Sequence, residues 1–205
     1  GGTNLFPMMY FDTPAFLSQS PQLYKQLTIL GGMERVFEIG PAFRAENHDT
    51  YRHLNEFISF DIEGAWMDDN DVMAVLERMI HHIWQSVADN DQEQMDIINH
   101  YRISQDEQPI TVDVPTLPFP RIEYCDAIKM IQDAGKDITW GDDIESSHCD
   151  IIAAKYPGFH FLPRWPMAMK PFYIHHITGE DGATGEQLSR GFDLNYGRDE
   201  MTSGG

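Results

Sequence analysis

The sequence predicts an α+β fold, a mostly antiparallel sheet flanked by helices, on three observations. Residues 36–39 and 56–63 are strand-like segments joined by a loop of about a dozen residues, the arrangement of an antiparallel pair with a long connection. Val72, Val75, Leu76, Met79, Ile80, Ile83, Trp84 and Val87 recur at helical spacing. The C-terminal third returns to strands near residues 159–162, 171–178 and 190–196, without the strict strand–helix alternation of a parallel sheet. A length of 205 residues suits one domain, with room for a small insertion at about residues 89–158.

In chain order, Ser20-Pro21 opens the first helix. Serine can cap free amides, proline suits the first helical position, and Gly31-Gly32 closes the segment 22–30. Gln22 and Lys25, three apart, share one face of it. In the strand 56–63, Ile58, Phe60 and Ile62 alternate with Phe57, Ser59, Asp61 and Glu63, which sets a polar, aromatic-bearing face over an apolar one. The long amphipathic helix follows Asp68-Asp69-Asn70-Asp71, whose carboxylates favour a helix N-terminus. Residues 89–108 are polar and predict a short helix or an insertion. Residues 109–120 hold four of the 12 prolines and predict an extended connector. Helices at 124–134, stopped by Gly135, and at 142–155, stopped before Pro157-Gly158, precede the last strands, with turns at 179–185 and 197–199.

A 41% hydrophobic composition excludes disorder, collagen and coiled coil. No apolar run approaches the ~20 residues that span a bilayer, so the simplest expectation is a cytoplasmic protein without a membrane partner. Cys125 and Cys149 are too few for a disulfide scaffold and are expected as reduced, buried thiols. The net charge of −19 repels polyanions and argues against nucleic-acid binding over a broad face, while a few arginines in one cleft can still hold a small phosphate ligand. The chain opens on Gly1 rather than Met and is expected to be a piece of a longer protein.

No phosphate-cradling glycine loop is present, so side chains must hold any nucleotide. Nine histidines include no H-E-x-x-H, and His175-His176 on a strand point to opposite faces. Three clusters carry chemistry. In the first, Arg44 and Glu46 fall on one side if their strand continues, placing a phosphate-gripping fork beside an acceptor for an amino group; Arg52, His53 and Phe57 are near in sequence, and an exposed aromatic there suits a stacked base. An ordinary Arg/Glu pair on a solvated sheet is the competing reading. In the second, Ser20, Gln22 and Lys25 lie at a helix N-terminus and Asp61 lies on the polar strand face, so that Lys25 and Asp61 together suit a zwitterion such as an acidic amino acid. In the third, Asp193, Glu200 and Ser203 around a hairpin offer oxygen ligands to Mg²⁺ bridging phosphates, against the plain alternative of surface acids in an acidic chain.

Taken together, these motifs resemble the catalytic core of class II aminoacyl-tRNA synthetases, and within them the aspartyl branch of the archaeal and eukaryotic type. Gln19-Ser20-Pro21-Gln22-Leu23-Tyr24-Lys25-Gln26 is similar to that family's aspartate-binding helix. Arg35-Val36-Phe37-Glu38-Ile39, Phe43-Arg44-Ala45-Glu46, Arg52-His53-Leu54-Asn55-Glu56 and Asp61 resemble its motif 2, and Phe192-Asp193-Leu194 to Glu200-Met201-Thr202-Ser203-Gly204-Gly205 resembles its metal-binding strand. The resemblance implies a class II sheet and a ligase that joins L-aspartate and ATP into aspartyl-adenylate, releases pyrophosphate and passes the aspartyl group to tRNA. It implies Arg44 as the catalytic bridge between α-phosphate and reacting carboxylate, and Lys25 against the substrate side-chain carboxylate. Ser20, Gln22, Asp61, Tyr173 and Ser203 complete the aspartate site. Glu46, Arg52, His53, Leu54, Phe57 and Glu200 frame ATP, and Glu200, Ser203 and Asp193 bind Mg²⁺. Gly1-Gly2-Thr3 resembles the loop that closes over bound aspartate. It further implies that motif 1, which builds the family's homodimer, motif 3 and the anticodon-binding domain lie outside these 205 residues. The rival readings are an asparaginyl-type or amidating paralogue, which Lys25 opposes because an amide gives that cation no charge partner, and a binding paralogue that retains the pocket alone.

Overall fold

The computed structural model describes residues 4–47, 54–181, 185 and 187–205, and the chain divides into two compact units, Gly1–Met67 and Asp68–Gly205.

The first unit begins with a tight hairpin of β1 (Pro7–Tyr10) and β2 (Thr13–Phe16), with Tyr10 paired to Thr13. Helix α1 spans Gln22–Leu30. The Ser20 hydroxyl accepts from the Gln22 N–H at 3.1 Å, and Gly31 closes the helix through its N–H to the Leu27 carbonyl at 2.9 Å. Strands β3 (Arg35–Phe43) and β4 (Glu56–Gly64) then pair antiparallel from Arg35↔Gly64 to Phe43↔Glu56 without a bulge. Unbroken register makes the two faces strict. One carries Glu38 opposite Asp61, Gly40 opposite Ser59 and Ala42 opposite Phe57. The other carries Phe37 opposite Ile62, Ile39 opposite Phe60 and Pro41 opposite Ile58.

The expected alternation is present, but its consequence differs from the usual one. α1 packs on the polar face through Lys25 and Gln22, while Phe37 and Ile58 on the apolar face are each 68% exposed. Ion pairs, rather than apolar burial, choose the face on which the helix sits.

The second unit starts with α2 (Asp69–Asn90). Its capping box is complete: the Asp68 carboxylate accepts from the Asp71 N–H at 3.0 Å, and the Asp71 carboxylate accepts from the Asp68 N–H at 3.1 Å. The buried stripe runs Met73, Leu76, Glu77 and Ile80, rotated slightly from the one expected, so that Ile83 is exposed and Glu77 is inside. Glu77 is tolerated there because its carboxylate accepts from the Phe119 N–H at 3.2 Å and lies 3.8 Å from the Arg121 guanidinium.

The polar stretch after it forms α3 (Gln92–Ser104), which buries no side chain. The proline-rich connector forms neither helix nor strand over residues 109–115, and Asn99 clasps its start by exchanging two hydrogen bonds with Ile110. α4 (Tyr124–Asp133) and α5 (Ser146–Lys155) close over Ile122, Ile138, Leu162 and Trp165. α5 begins later than the sequence predicts, because Glu145 and His148 form the cap while Asp142 is occupied by the Thr139 N–H and hydroxyl.

β5 (Phe159–Pro163), β8 (Phe192–Tyr196) and β9 (Asp199–Gly204) make an antiparallel sheet in the order β5-β8-β9. β6 (His176–Asp181) and β7 (Gln187–Ser189) form a separate hairpin. The strand expected from residue 171 starts only at His176, since the Ile174 N–H bonds back to the Pro171 carbonyl in a turn. Cys125 and Cys149 are half-buried thiols rather than fully buried ones. No helix among the described residues is long and apolar enough to cross a membrane.

Candidate functional site

Two clusters of expected site residues are assembled, one in each unit. In the first unit, Lys25 is 4% exposed despite its charge. Its ammonium donates to the Asp61 carboxylate at 3.2 Å and to the Ile62 carbonyl at 3.3 Å, and lies 3.6 Å from Glu63. Glu63 also accepts from the Gln22 side-chain amide at 3.3 Å, and the Ser59 hydroxyl bonds Asp61. The helix spacing that put Gln22 and Lys25 on one face, and the strand spacing that put Ser59, Asp61 and Glu63 on another, therefore meet in one polar nest. Opposite charges held side by side suit a zwitterion with one charged group for each. Glu63 and Ser59 were not singled out from sequence, although the alternation along residues 56–63 already placed them with Asp61.

Arg44 and Glu46 are held differently from the expectation. The β3–β4 ladder carries one rung past Phe43, the Arg44 N–H donating to the Asn55 carbonyl at 2.9 Å and Ala45 bridging Asn4, before the backbone turns at Glu46, whose N–H donates to the Arg44 carbonyl at 2.9 Å and to the Asn55 side chain at 3.2 Å. This turn ends regular strand alternation between Arg44 and Glu46. The Arg44 guanidinium sits 5.1 Å from the centre of the Phe57 ring, a cation–π stack that fixes its plane. Ala42, buried across from Phe57, leaves space for that ring. Leu54 is exposed. Arg52, His53 and Gly1-Gly2-Thr3 lie outside the described residues.

In the second unit the expected acidic cluster is arranged by a bulge. Asp193 pairs with Ser203, and Asn195 pairs with Glu200, with Met201 as the extra residue on β9. On a regular strand Glu200 and Ser203, three apart, would face opposite ways; the bulge returns both to the Asp193 face. Asp193 is largely buried and accepts two hydrogen bonds from the Lys170 ammonium, at 2.9 and 3.2 Å. Burial pushes its carboxyl up to about 6, with Lys170 pulling it down and Glu200 pushing it further up. Asn195 is buried on the same face, and its amide nitrogen has no hydrogen-bond partner among the described residues.

Two carboxylates and a hydroxyl on one sheet face offer oxygen ligands to a hard divalent cation that keeps waters and phosphate oxygens in its shell, whereas the unused Asn195 amide donor cannot ligate a cation. No group of three or more His, Cys, Asp and Glu side chains gathers for a metal among the described residues. Tyr173 lies in the turn before β6, edge-on to Phe172 at 5.4 Å. The histidine expectation is corrected: His175 precedes β6, so the pair escapes strand alternation, and the two rings stack at 5.1 Å. Lys170 had no sequence signal, because its partner Asp193 is 23 residues away and meets it only in the fold.

Comparison with known proteins matches residues 1–205 to the family described as tRNA synthetases class II (D, K and N). The chain is 42% identical over 204 residues to an aspartate–tRNA(Asp/Asn) ligase of Archaeoglobus fulgidus, and 42% identical over 204 residues to an aspartate–tRNA(Asp) ligase of Thermoplasma acidophilum. Each match covers 100% of this chain and 44% of the relative, so the chain spans less than half the length of these relatives. Among solved structures, an asparaginyl-tRNA synthetase of Pyrococcus horikoshii complexed with asparaginyl-adenylate superposes with a TM-score of 0.77 at 31% identity, over 95% of this chain and 42% of its own. An aspartyl-tRNA synthetase of Entamoeba histolytica gives 0.76 at 32% identity, over 92% of this chain and 38% of its own.

Proposed function

The chain belongs to the class II tRNA synthetases (D, K and N), and from that premise we propose that it forms part of the catalytic domain of an aspartate–tRNA ligase. The parent protein activates L-aspartate with ATP and transfers the aspartyl group to tRNA, as a cytoplasmic homodimer. The observation that carries the choice of amino acid is Lys25, a buried ammonium whose neighbours are carboxylates and a carbonyl. Such a group is stabilised more by another carboxylate than by an amide, whose oxygen accepts a hydrogen bond but brings no charge. This favours aspartate over asparagine.

In this reading Lys25 receives the substrate side-chain carboxylate. Asp61, helped by Ser20 and Gln22, holds the rest of the amino acid. Arg44, its plane fixed by Phe57, lies across the α-phosphate and the reacting carboxylate. The carboxylate oxygen attacks the α-phosphorus, the bond to the β-phosphate oxygen breaks, and pyrophosphate leaves. Arg44 balances the negative charge that gathers on the equatorial oxygens, so the contribution is positioning and electrostatic rather than proton transfer. Glu46, Arg52, His53, Leu54 and Phe57 frame the nucleotide. Glu200 and Ser203 would hold Mg²⁺ directly, with the Asp193 charge behind them, and the ion would neutralise phosphate charge when bound.

Aspartate-dependent exchange of pyrophosphate into ATP by the parent protein, without tRNA and with asparagine as control, tests the reading. Exchange with aspartate alone is expected. Exchange with asparagine alone moves the assignment to the asparaginyl type, and exchange with neither, from a folded protein that binds ATP, leaves a binding paralogue.

A further inference from the structure

Lys170 is built into the acidic face of the β8–β9 hairpin with unusual care for a lysine. Its ammonium makes two hydrogen bonds to Asp193 and lies 4.3 Å from the centre of the Trp165 ring. Its stem passes Gly191 so closely that a Cβ there would meet the Lys170 Cγ at 3.1 Å and Cδ at 3.2 Å. The side chain is 14% exposed, against the usual solvated fate of a lysine. Backbone space, an aromatic face and a carboxylate all fix one position for this cation.

Its charge changes what the hairpin can bind. Asp193 and Glu200 alone present two negative charges, enough to draw a divalent cation without help. With Lys170 on Asp193 the face keeps only one, and one lone pair on each Asp193 oxygen is engaged. We propose that Lys170 is a positioning residue that holds Asp193 out of the inner ligand shell, so that a divalent cation binds firmly at Glu200 and Ser203 only when nucleotide phosphates supply the missing negative charge. Cation binding is thereby coupled to nucleotide binding. The inference rests on the reading of β8–β9 as the cation site and adds to it an order of assembly: the enzyme takes up the cation with its nucleotide rather than before it.

The test is Mn²⁺ binding to the parent protein, followed by loss of the free-ion electron paramagnetic resonance signal, with and without a non-hydrolysable ATP analogue. Lys170→Met keeps an apolar stem against Trp165 and removes the charge. It is expected to tighten nucleotide-free Mn²⁺ binding by roughly tenfold or more, since site charge sets divalent affinity, while Lys170→Arg keeps the wild-type behaviour. Asp193→Asn in the Lys170→Met background returns the face to its wild-type charge and should abolish the gain. Unchanged or weaker binding in Lys170→Met overturns the proposal. So does a roughly tenfold loss relative to wild type in the Lys170→Met/Asp193→Asn double variant, which keeps the wild-type charge and would mark Asp193 as an inner ligand already, and this arm decides the matter if Lys170→Met alone does not fold. Wild-type protein that binds Mn²⁺ neither with nor without nucleotide overturns the cation site and this inference together; binding with nucleotide but no response to Lys170→Met overturns the inference alone.

Discussion

Lys25 shows how a single residue can serve both stability and selection. Its ammonium sits between Asp61 and Glu63, so Lys25→Ala leaves two carboxylates facing each other with no cation. A broken buried pair costs roughly 3 to 5 kcal/mol, and because Asp61 and Glu63 are 22% and 24% exposed the loss belongs at or below the lower end of that range. Urea denaturation measures it, and the same variant of the parent protein should lose its preference for aspartate over asparagine by orders of magnitude in pyrophosphate exchange. Wild-type preference in a folded Lys25→Ala enzyme removes the role.

Asp193 gives a second expectation at this scale. Its folded carboxyl titrates at about 6, above the 3.8 of the free group, so its contribution to stability is fully present below pH 3.8 and is lost as pH rises through 6. The stability of wild type relative to Asp193→Asn should therefore rise by roughly 2 kcal/mol between pH 7 and pH 4. A difference independent of pH would show that the carboxyl is not raised. Residues of this kind divide in what the sequence reveals. Gln22, Lys25 and Asp61 follow from periodicity, whereas Lys170 and the Arg44 stack on Phe57 depend on contacts made only after the chain has turned.

At the scale of elements, α2 shows a helix set by its first residues. Asp69 is 2% exposed and is held by Arg190 at 2.6 Å and Arg164 at 3.2 Å, which tie the start of α2 to the ends of β7 and β5. Asp69→Ala would leave the two guanidiniums without this carboxylate and should destabilise the protein by roughly 3 to 5 kcal/mol. Asp68→Ala, which removes the cap and a long, half-exposed ion pair to Arg190 at 3.7 Å, should cost about 1 kcal/mol. Equal effects in chemical denaturation would contradict the anchoring role of Asp69.

The acidic run at 68–71 made this start legible, and the glycines made the ends of α1 and α4 legible. β1 and β2 were not foreseen, because four-residue strands with prolines at positions 7 and 14 carry little alternation. The β9 bulge was invisible for a related reason: an extra residue changes which side chains share a face without changing composition.

For the whole molecule the dominant fact is a net charge of −19. Several carboxylates are neutralised locally, Asp61 and Glu63 by Lys25, Asp69 by Arg164 and Arg190, and Asp193 by Lys170. With 14 lysines and arginines against 33 aspartates and glutamates, most acids have no such partner and repel one another across the surface. The internal pairs are partly buried and weakly screened, whereas the repulsion acts through solvent and is strongly screened. Raising salt from about 0.01 M to about 1 M shortens the screening length from roughly 30 Å to roughly 3 Å, so it removes repulsion faster than attraction. The melting temperature should therefore climb by several degrees over that range in NaCl, with most of the rise below about 0.2 M, where the screening length falls beneath typical surface charge spacings. A melting temperature that falls with salt would mean that the ion pairs, rather than the surplus of acids, dominate the electrostatics of the fold.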